Sequence, residues 1–361
     1  MIGLYVHIPF CDAKCPYCDF YSIKAKTDKK EKYVQAVLNE MKMCGGNKLA
    51  NTLYFGGGTP TLLEPIQLEK IVKCAVETYG LSYENEITVE SNPNTLTDRK
   101  LFDLKKIGIN RLSIGVQSGI EAELKALGRK HSLDQVEKAI KSAKREGFDN
   151  ISVDMIIGAP GQTIKTIFET LDFVESLDVQ HCSFYQLKIE PKTPFGLNKP
   201  NNIASEDEIA EIYLTVVSQL EKIGFYQYEI SNFAKTSREC VHNLKYWNQE
   251  EYIGFGPSAH SFVNGVRYFH DRNIDGYIDD VIKVEKEKVL DANFEWIMLR
   301  SRLTKGVSVS ELEKRGFWND DLILKIKKLE GAKYIEWKDD RISLTPAGMM
   351  VQNAILLNLF R

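Results

Sequence analysis

From its N-terminus to Pro191 the chain alternates between short β-rich segments and amphipathic helical stretches. The β-rich segments are Leu4–Ile8, Asn51–Phe55, Glu86–Glu90, Arg111–Val116, Ile151–Ile157 and Cys182–Leu187. Between them, Lys32–Met43, Leu68–Tyr79, Leu133–Glu146 and Thr166–Ser176 carry apolar residues at helical spacing. Leu133, Val136, Ala139, Ile140 and Ala143 share one such face. Strand and helix in repeated alternation predict an α/β fold with a parallel sheet. This many units suit a partial or complete (β/α) barrel better than a short doubly wound sheet. In such barrels the chemistry sits at the C-terminal ends of the strands. Cys11–Cys18, Gly56–Thr59, Glu90, Gln117, Asp154 and Gln186 all fall at or just after those ends, a coincidence hard to obtain from core packing alone.

Beyond Pro191 the pattern changes. Three prolines mark a polar loop at Lys192–Asn202 and its flanks, then a helix is expected at Glu206–Ile223 and a strand at Gly224–Ile230. Residues 236–275 are rich in aromatic, His and Gly residues and weakly periodic. The stretch from about 290 reads helix, helix, strand, turn, strand, over Val309–Lys314, Asp321–Leu329, Tyr334–Trp337 and Arg341–Leu344. That is the outline of a winged-helix module of α+β type. We therefore expect a barrel domain over 1–235 and a smaller domain over 236–361. Asp291–Arg361 holds 12 Lys or Arg against 10 Asp or Glu, too balanced for a phosphate-binding face. A packing or lid role is the plainer expectation for the module.

The whole chain of 361 residues has a net charge of -3, which gives no sign of a nucleic-acid partner. No apolar run is long enough to span a bilayer. The start of the chain lacks a basic segment ahead of its apolar stretch and reads as a strand, not a signal peptide. Seven cysteines without an export signal point to the cytoplasm.

Cys11, Cys15 and Cys18 form a C-x-x-x-C-x-x-C cluster. Thiolates select zinc or iron–sulfur centres. Structural zinc needs four protein ligands, and only His7, on the first strand, offers itself as the fourth. An iron–sulfur cluster with one open iron fits better, and a chance trio of surface thiols is the bland alternative. One strand later comes Y-F-G-G-G-T-P-T, Tyr54–Thr61. Its glycines permit close backbone approach to a ligand and expose N–H donors that suit a carboxylate; otherwise it is a tight turn. It is not a phosphate loop, since no G-K-S/T follows. Glu90, Gln117, Arg129 and Asp154 add charged and amide groups near strand ends. Asp154, inside an apolar run, needs a partner; it either caps a loop or meets a ligand. His7 is readable as an ordinary strand histidine.

The cysteine spacing, with Tyr17 before the third cysteine, resembles the radical S-adenosylmethionine superfamily. That resemblance implies a 4Fe–4S cluster on the three cysteines. It also implies S-adenosylmethionine chelating the fourth iron, with the reduced cluster able to cleave it to a 5′-deoxyadenosyl radical. Within the superfamily, Y-V-H-I-P-F-C, F-G-G-G-T-P-T, V-E-S-N-P, R-L-S-I-G-V-Q, G-R-K-H and D-M-I-I-G-A-P-G-Q-T resemble the oxygen-independent coproporphyrinogen III oxidase family over nearly the whole chain. By position, Tyr5, Gly57, Gly58, Thr59, Glu90, Gln117, Arg129, Asp154 and, after the sixth strand, Leu187 match that family's S-adenosylmethionine-contacting residues.

Two departures point to a branch. Phe20 stands where the oxidases carry a further cysteine, and their N-terminal extension has no counterpart ahead of Tyr5. Both features resemble the heme-chaperone (HemW) branch, whose H-N-x-x-Y-W motif reads here His242-Asn243-Leu244-Lys245-Tyr246-Trp247. The resemblance implies heme binding there. His242 would offer an imidazole to iron, and Tyr246 and Trp247 aromatic surface to the porphyrin. His260, His270 and Cys240 are the alternative heme contacts. The expected function is delivery of heme to an acceptor protein, with contact to a membrane only through a partner. The competing expectation is radical oxidative decarboxylation of coproporphyrinogen III propionates. A third is radical chemistry on another substrate, nucleic acid included.

Overall fold

The computed structural model describes residues 1–361 except 47, 281–282 and 288–290. Six βα units lead. They are β1 (Ile2–Ile8) with α1 (Thr27–Met43), β2 (Ala50–Gly57) with α2 (Pro65–Tyr79), and β3 (Glu86–Ser91) with α3 (Asp98–Lys106). Then come β4 (Arg111–Gln117) with α4 (Glu121–Ala126) and α5 (Leu133–Arg145), β5 (Ile151–Ile157) with α6 (Ile164–Ser176), and β6 (His181–Gln186) with α7 (Pro194–Leu197) and α8 (Glu206–Lys222). Capping boxes start several helices: Ser132 with Gln135, Thr163 with Thr166, and Ser205 with Glu208. Val136, Ala139, Ile140 and Ala143 of α5 are buried together, the face expected from their spacing.

Strands β1 to β6 pair in chain order, all parallel. The barrel is partial. The second neighbour of β6 is β8 (Asn232–Ala234), followed by β7 (Tyr226–Glu229). The second neighbour of β1 is β9 (Tyr252–Phe255), which runs parallel to it. Strands β10 (His260–Val263), β11 (Val266–His270) and β12 (Val284–Lys286) extend that edge. Residues on both sides of position 235 thus contribute to one sheet. The helix α3 and the strands of residues 252–286 had not been expected from the sequence. Their periodicity is weak and their pairing partners lie far away in the chain.

The parallel strands alternate strictly in character. Their outward residues, such as Leu4, Val6, Leu53, Phe55, Ile87, Val89, Leu112, Ile114, Val153 and Met155, are buried in the main core. Their inward residues are nearly all polar, aromatic or glycine. These are Gly3, Tyr5 and His7; Thr52, Tyr54 and Gly56; Glu86, Thr88 and Glu90; Arg111, Ser113 and Gly115; Ser152 and Asp154; and His181, Ser183 and Tyr185. Parallel strands usually read as continuous apolar runs. Here the barrel encloses a polar lumen.

Val241–Trp247 forms a short helix, α9. It plugs the N-terminal end of the lumen, where the Glu86 carboxylate accepts from the backbone N–H groups of Val241 and His242, each at 2.9 Å. The C-terminal module has its own core, including Trp296, Ile297, Leu312, Ile326 and Leu356. A three-stranded antiparallel sheet of 307–308, 341–344 and 335–338 packs with helices 309–314, 320–331 and 352–360, the winged-helix outline read from the sequence. It docks on the barrel through Arg302, which pairs with the fully buried Glu229 at 3.0 Å and lies 4.2 Å from the Trp247 ring centroid. No helix among the described residues is long and apolar enough to cross a membrane.

Candidate functional site

The C-terminal ends of the parallel strands open into a cavity of about 400 Å³, within the usual size of small-molecule sites. Cys11, Cys15 and Cys18 line one end. The loop carrying them leaves β1, and the glycine-rich turn after β2 holds it. Gly58 N–H donates to Ile8 O at 2.9 Å and Thr59 N–H to Phe10 O at 2.8 Å. A Cβ on Gly58 would sit 2.5 Å from Phe10 O, and one on Gly57, at φ 108°, would sit 2.7 Å from the His7 ring. These glycines are therefore demanded by the cysteine loop itself. Gly57 N–H donates to Glu90 Oε2 at 3.1 Å. The N–H groups of 57, 58 and 59, expected to be offered to a ligand, are instead satisfied within the protein, although all three residues line the cavity.

All three thiols are free. Among the described residues no three His, Cys, Asp or Glu groups converge closely enough to hold one metal ion. Three thiolates along one cavity wall suit a polynuclear cluster, in which each takes a separate iron. His7 does not join them. Its Nε2 bonds to Tyr21 O at 2.9 Å and its Nδ1 to Tyr5 Oη at 3.1 Å.

Glu90 and Asp154 enter the same cavity from β3 and β5. Glu90 accepts from Tyr54 Oη at 2.9 Å, and Asp154 from Ser113 Oγ at 2.9 Å. Burial, reinforced by the Asp154 charge, pushes the Glu90 carboxyl up to about 7, against the opposing hydrogen bonds from Tyr54 and Gly57 and the Arg111 charge. Burial likewise raises Asp154, which hydrogen bonds from Ser183 and Ser113 and the Arg111 and Arg129 charges oppose. Among the described residues neither carboxylate has an ion-pair partner. Two buried acids facing a cavity, near the Arg111 and Arg129 charges but in direct contact with neither, form a receptor for a cationic group.

Arg129 reaches the rim between the two acids from the loop after α4. Its Nη2 donates to Gly115 O at 2.9 Å and to Asn92 Oδ1, and its Nη1 lies 3.5 Å from Cys15 Sγ. Its Nε is buried without a partner, an orphan donor beside the cysteines. A Cβ on Gly115 would lie 2.7 Å from Gln117 Nε2 and 3.4 Å from Arg129 Nη2, so it would displace the Gln117 amide. Gln117 ends β4 at φ 77°, a left-handed conformation that costs a non-glycine residue about 1 kcal/mol or more. The strand register shifts at the same point, turning the side chain to the cavity wall. Leu187, one residue past β6, also lines the cavity. Tyr5 does not. It is the register partner of Tyr54 on the neighbouring strand, and the two rings stack with centroids 6.2 Å apart.

Two residues of the site escaped the sequence reading. Asn92 accepts from Arg129 and donates to Thr59 Oγ1 at 2.9 Å, joining Arg129 to the glycine turn. Tyr54 anchors Glu90. Both lie within the quoted motifs V-E-S-N-P and Y-F-G-G-G-T-P-T, so their position at strand ends was the available signal.

The structure brings His242, Tyr246 and Trp247 together on α9 but not into the cavity. His242 is buried, with Nδ1 bonded to Thr52 Oγ1 and Nε2 to Tyr246 Oη, both at 2.8 Å. Burial pushes its imidazole down to about 3, helped by the Lys245 and Arg111 charges. Trp247 Nε1 is buried without a partner. Of the alternatives, His270 is buried against Glu40 at 2.7 Å. Cys240 is buried beside Glu86, its thiol pushed up by burial to about 12. His260 is exposed and stacks on Phe269 at 5.1 Å.

The family profile of the radical SAM superfamily matches residues 5–174. A protein named heme chaperone HemW from Bacillus subtilis is 36% identical, over 98% of both chains. The heme chaperone HemW of Escherichia coli is 32% identical, over 98% of this chain and 97% of its own. The solved coproporphyrinogen III oxidase (HemN) of Escherichia coli superposes with a TM-score of 0.84, covering 99% of this chain and 89% of that one, at 21% identity. That likeness establishes the shared fold. With matches spanning nearly its full length, the chain belongs to the heme chaperone HemW family within the radical S-adenosylmethionine superfamily.

Proposed function

We propose that the protein is a cytoplasmic heme chaperone that binds a 4Fe–4S cluster, S-adenosylmethionine and heme, and delivers heme to an acceptor protein. Cys11, Cys15 and Cys18 would hold the cluster. Glu90 and Asp154 would receive the cationic end of S-adenosylmethionine. Gly57, Gly58, Thr59, Gln117, Arg129 and Leu187 complete its walls, with Tyr5 behind Tyr54. When bound, such a cluster supplies an electron to the cofactor's sulfonium. The observation carrying this reading is one cavity that joins three free thiols to two buried acids whose carboxyls are raised by burial and which, among the described residues, make no ion pair.

Heme is cargo in this reading, and His242, Tyr246 and Trp247 are its candidate contacts. Both nitrogens of His242 are already bonded, so ligating iron requires α9 to leave its seat. Phe20 is 67% exposed at the cavity rim, where the oxidases carry a cysteine. This favours transfer over porphyrin oxidation.

Anaerobically reconstituted protein should bind heme, retain S-adenosylmethionine on equilibrium dialysis, and pass heme to an apo-acceptor. It should yield no protoporphyrinogen from coproporphyrinogen III with S-adenosylmethionine and reductant. Robust turnover in that assay would replace the chaperone reading with the oxidase one.

A further inference from the structure

The helix α9 touches the cofactor cavity only through the lumen. The His242 ring stacks on Tyr54, centroids 5.1 Å apart and planes within 24°, and more distantly on Tyr5 at 6.4 Å. On its far side Tyr54 donates to Glu90 Oε1, whose other oxygen takes Gly57 N–H. The seat of the imidazole is fully specified by Thr52 and Tyr246 on its nitrogens, the Glu86 carboxylate on its helix end, and Gly3 beneath. A Cβ on Gly3 would lie 3.2 Å from His242 Cε1 and 2.9 Å from Lys245 Cδ.

We propose that His242 is a positioning residue of the cofactor cradle: its stacked ring fixes the plane of Tyr54, and Tyr54 holds Glu90 toward the cavity. This rests on the reading that S-adenosylmethionine occupies the cavity. It gives His242 a duty toward that cofactor, separate from any contact with heme. The physical basis is that a buried aromatic ring is held in plane by its stacking partner. A carboxylate aimed at a ligand is useful only while its own anchor is rigid.

The cradle responds to pH through Glu90. The charged and titratable groups around it are Asp154 on β5, Arg111 on β4, Tyr54 on β2 and Tyr5 on β1, with Tyr185 and Tyr246 farther off. The Tyr54 hydrogen bond favours the Glu90 carboxylate. Losing it, directly or by freeing the Tyr54 ring, moves the Glu90 titration upward.

The test uses heme-free, anaerobically reconstituted full-length protein and S-adenosylmethionine dialysis across neutral pH. The variants are His242→Ala, His242→Phe, Tyr54→Phe and the double variant His242→Ala/Tyr54→Phe. Tyr54→Phe and His242→Ala should each weaken binding about tenfold, the scale of one hydrogen bond to a charged group. Both should raise the pH midpoint of binding. The double variant should bind no more weakly than either single one, because both act through the same carboxylate. His242→Phe keeps a stacked ring and should restore most of the affinity. Additive losses, an unmoved pH midpoint in His242→Ala, or wild-type affinity in that variant would each overturn the proposal. Should His242→Ala fail to fold, a loss in His242→Phe equal to that of Tyr54→Phe overturns it equally. Failure of the wild type to bind S-adenosylmethionine would remove the underlying reading, whereas normal wild-type binding with indifferent variants removes only the positioning role.

Discussion

Glu90→Gln should gain in stability relative to the wild type as pH rises through neutrality. The Glu90 carboxyl, ordinarily near 4.5, titrates at about 7 in the folded chain. Below about pH 4.5 it is neutral in both states and contributes no pH-dependent term. Between 4.5 and 7 the unfolded chain ionises while the folded one must hold the proton, and stability falls as pH rises. Above about 7 the loss is complete and amounts to about 3 kcal/mol, from roughly 2.5 units at 1.36 kcal/mol each. Unfolding entropy of about 2.1 cal/mol/K per residue converts that to roughly 4 °C in a chain this long. Glutamine is neutral throughout and escapes this pH-dependent penalty; its one oxygen still accepts the Tyr54 hydroxyl, while its amide nitrogen leaves Gly57 N–H without an acceptor, a cost that is the same at every pH. The assay is calorimetric unfolding of cofactor-free wild type and Glu90→Gln at matched ionic strength, from about pH 5 to about pH 8. The Tm difference, variant minus wild type, should grow by a few degrees with rising pH. Saturating S-adenosylmethionine, by supplying a counter-charge, should shrink it. A difference that stays flat, or one that favours the wild type increasingly at high pH, would refute the idea of a strained acid awaiting a cation.

Cys15→Ala should abolish the brown iron–sulfur absorbance after anaerobic reconstitution, read by iron analysis and visible spectra. Gly58→Ala drives a Cβ against Phe10 O at 2.5 Å and should lower cluster content while leaving helix content by circular dichroism unchanged. Arg302→Ala strips the fully buried Glu229 of its partner and should cost about 3 kcal/mol in denaturant unfolding. Adding Glu229→Gln should recover much of that. Heme ligation by His242 withdraws the ring that supports Tyr54, so protein saturated with S-adenosylmethionine should show a weaker heme affinity in a Soret titration. Equal affinities would separate the two sites.

Much of the site was legible because its motifs are local. The cysteine trio, the glycine turn, Glu90, Gln117 and Asp154 each follow a strand, and parallel strands in chain order bring their ends to one rim. Tyr5 is assigned to the cofactor by resemblance; in the fold it pairs in register with Tyr54, whose ring stands between it and the cavity lining. The glycine turn was read as a donor cradle. Its donors are consumed by Ile8, Phe10 and Glu90, which no spacing rule reveals.

What the sequence determined by itself was the order of strands, the clustering of the three thiols and the family. These depend on residue type at short spacing. What only the tertiary structure decided was the partnership of each buried polar group. The strand alternation was present in the sequence, but the lumen of the partial barrel, which makes inward Glu90 and Asp154 costly, comes from pairing across the sheet. The seat of His242 depends on Thr52, 190 residues away, and the anchor of Glu90 on Tyr54, 36 residues away. Contacts at such separations are set by register and burial, and neither is written in any local motif.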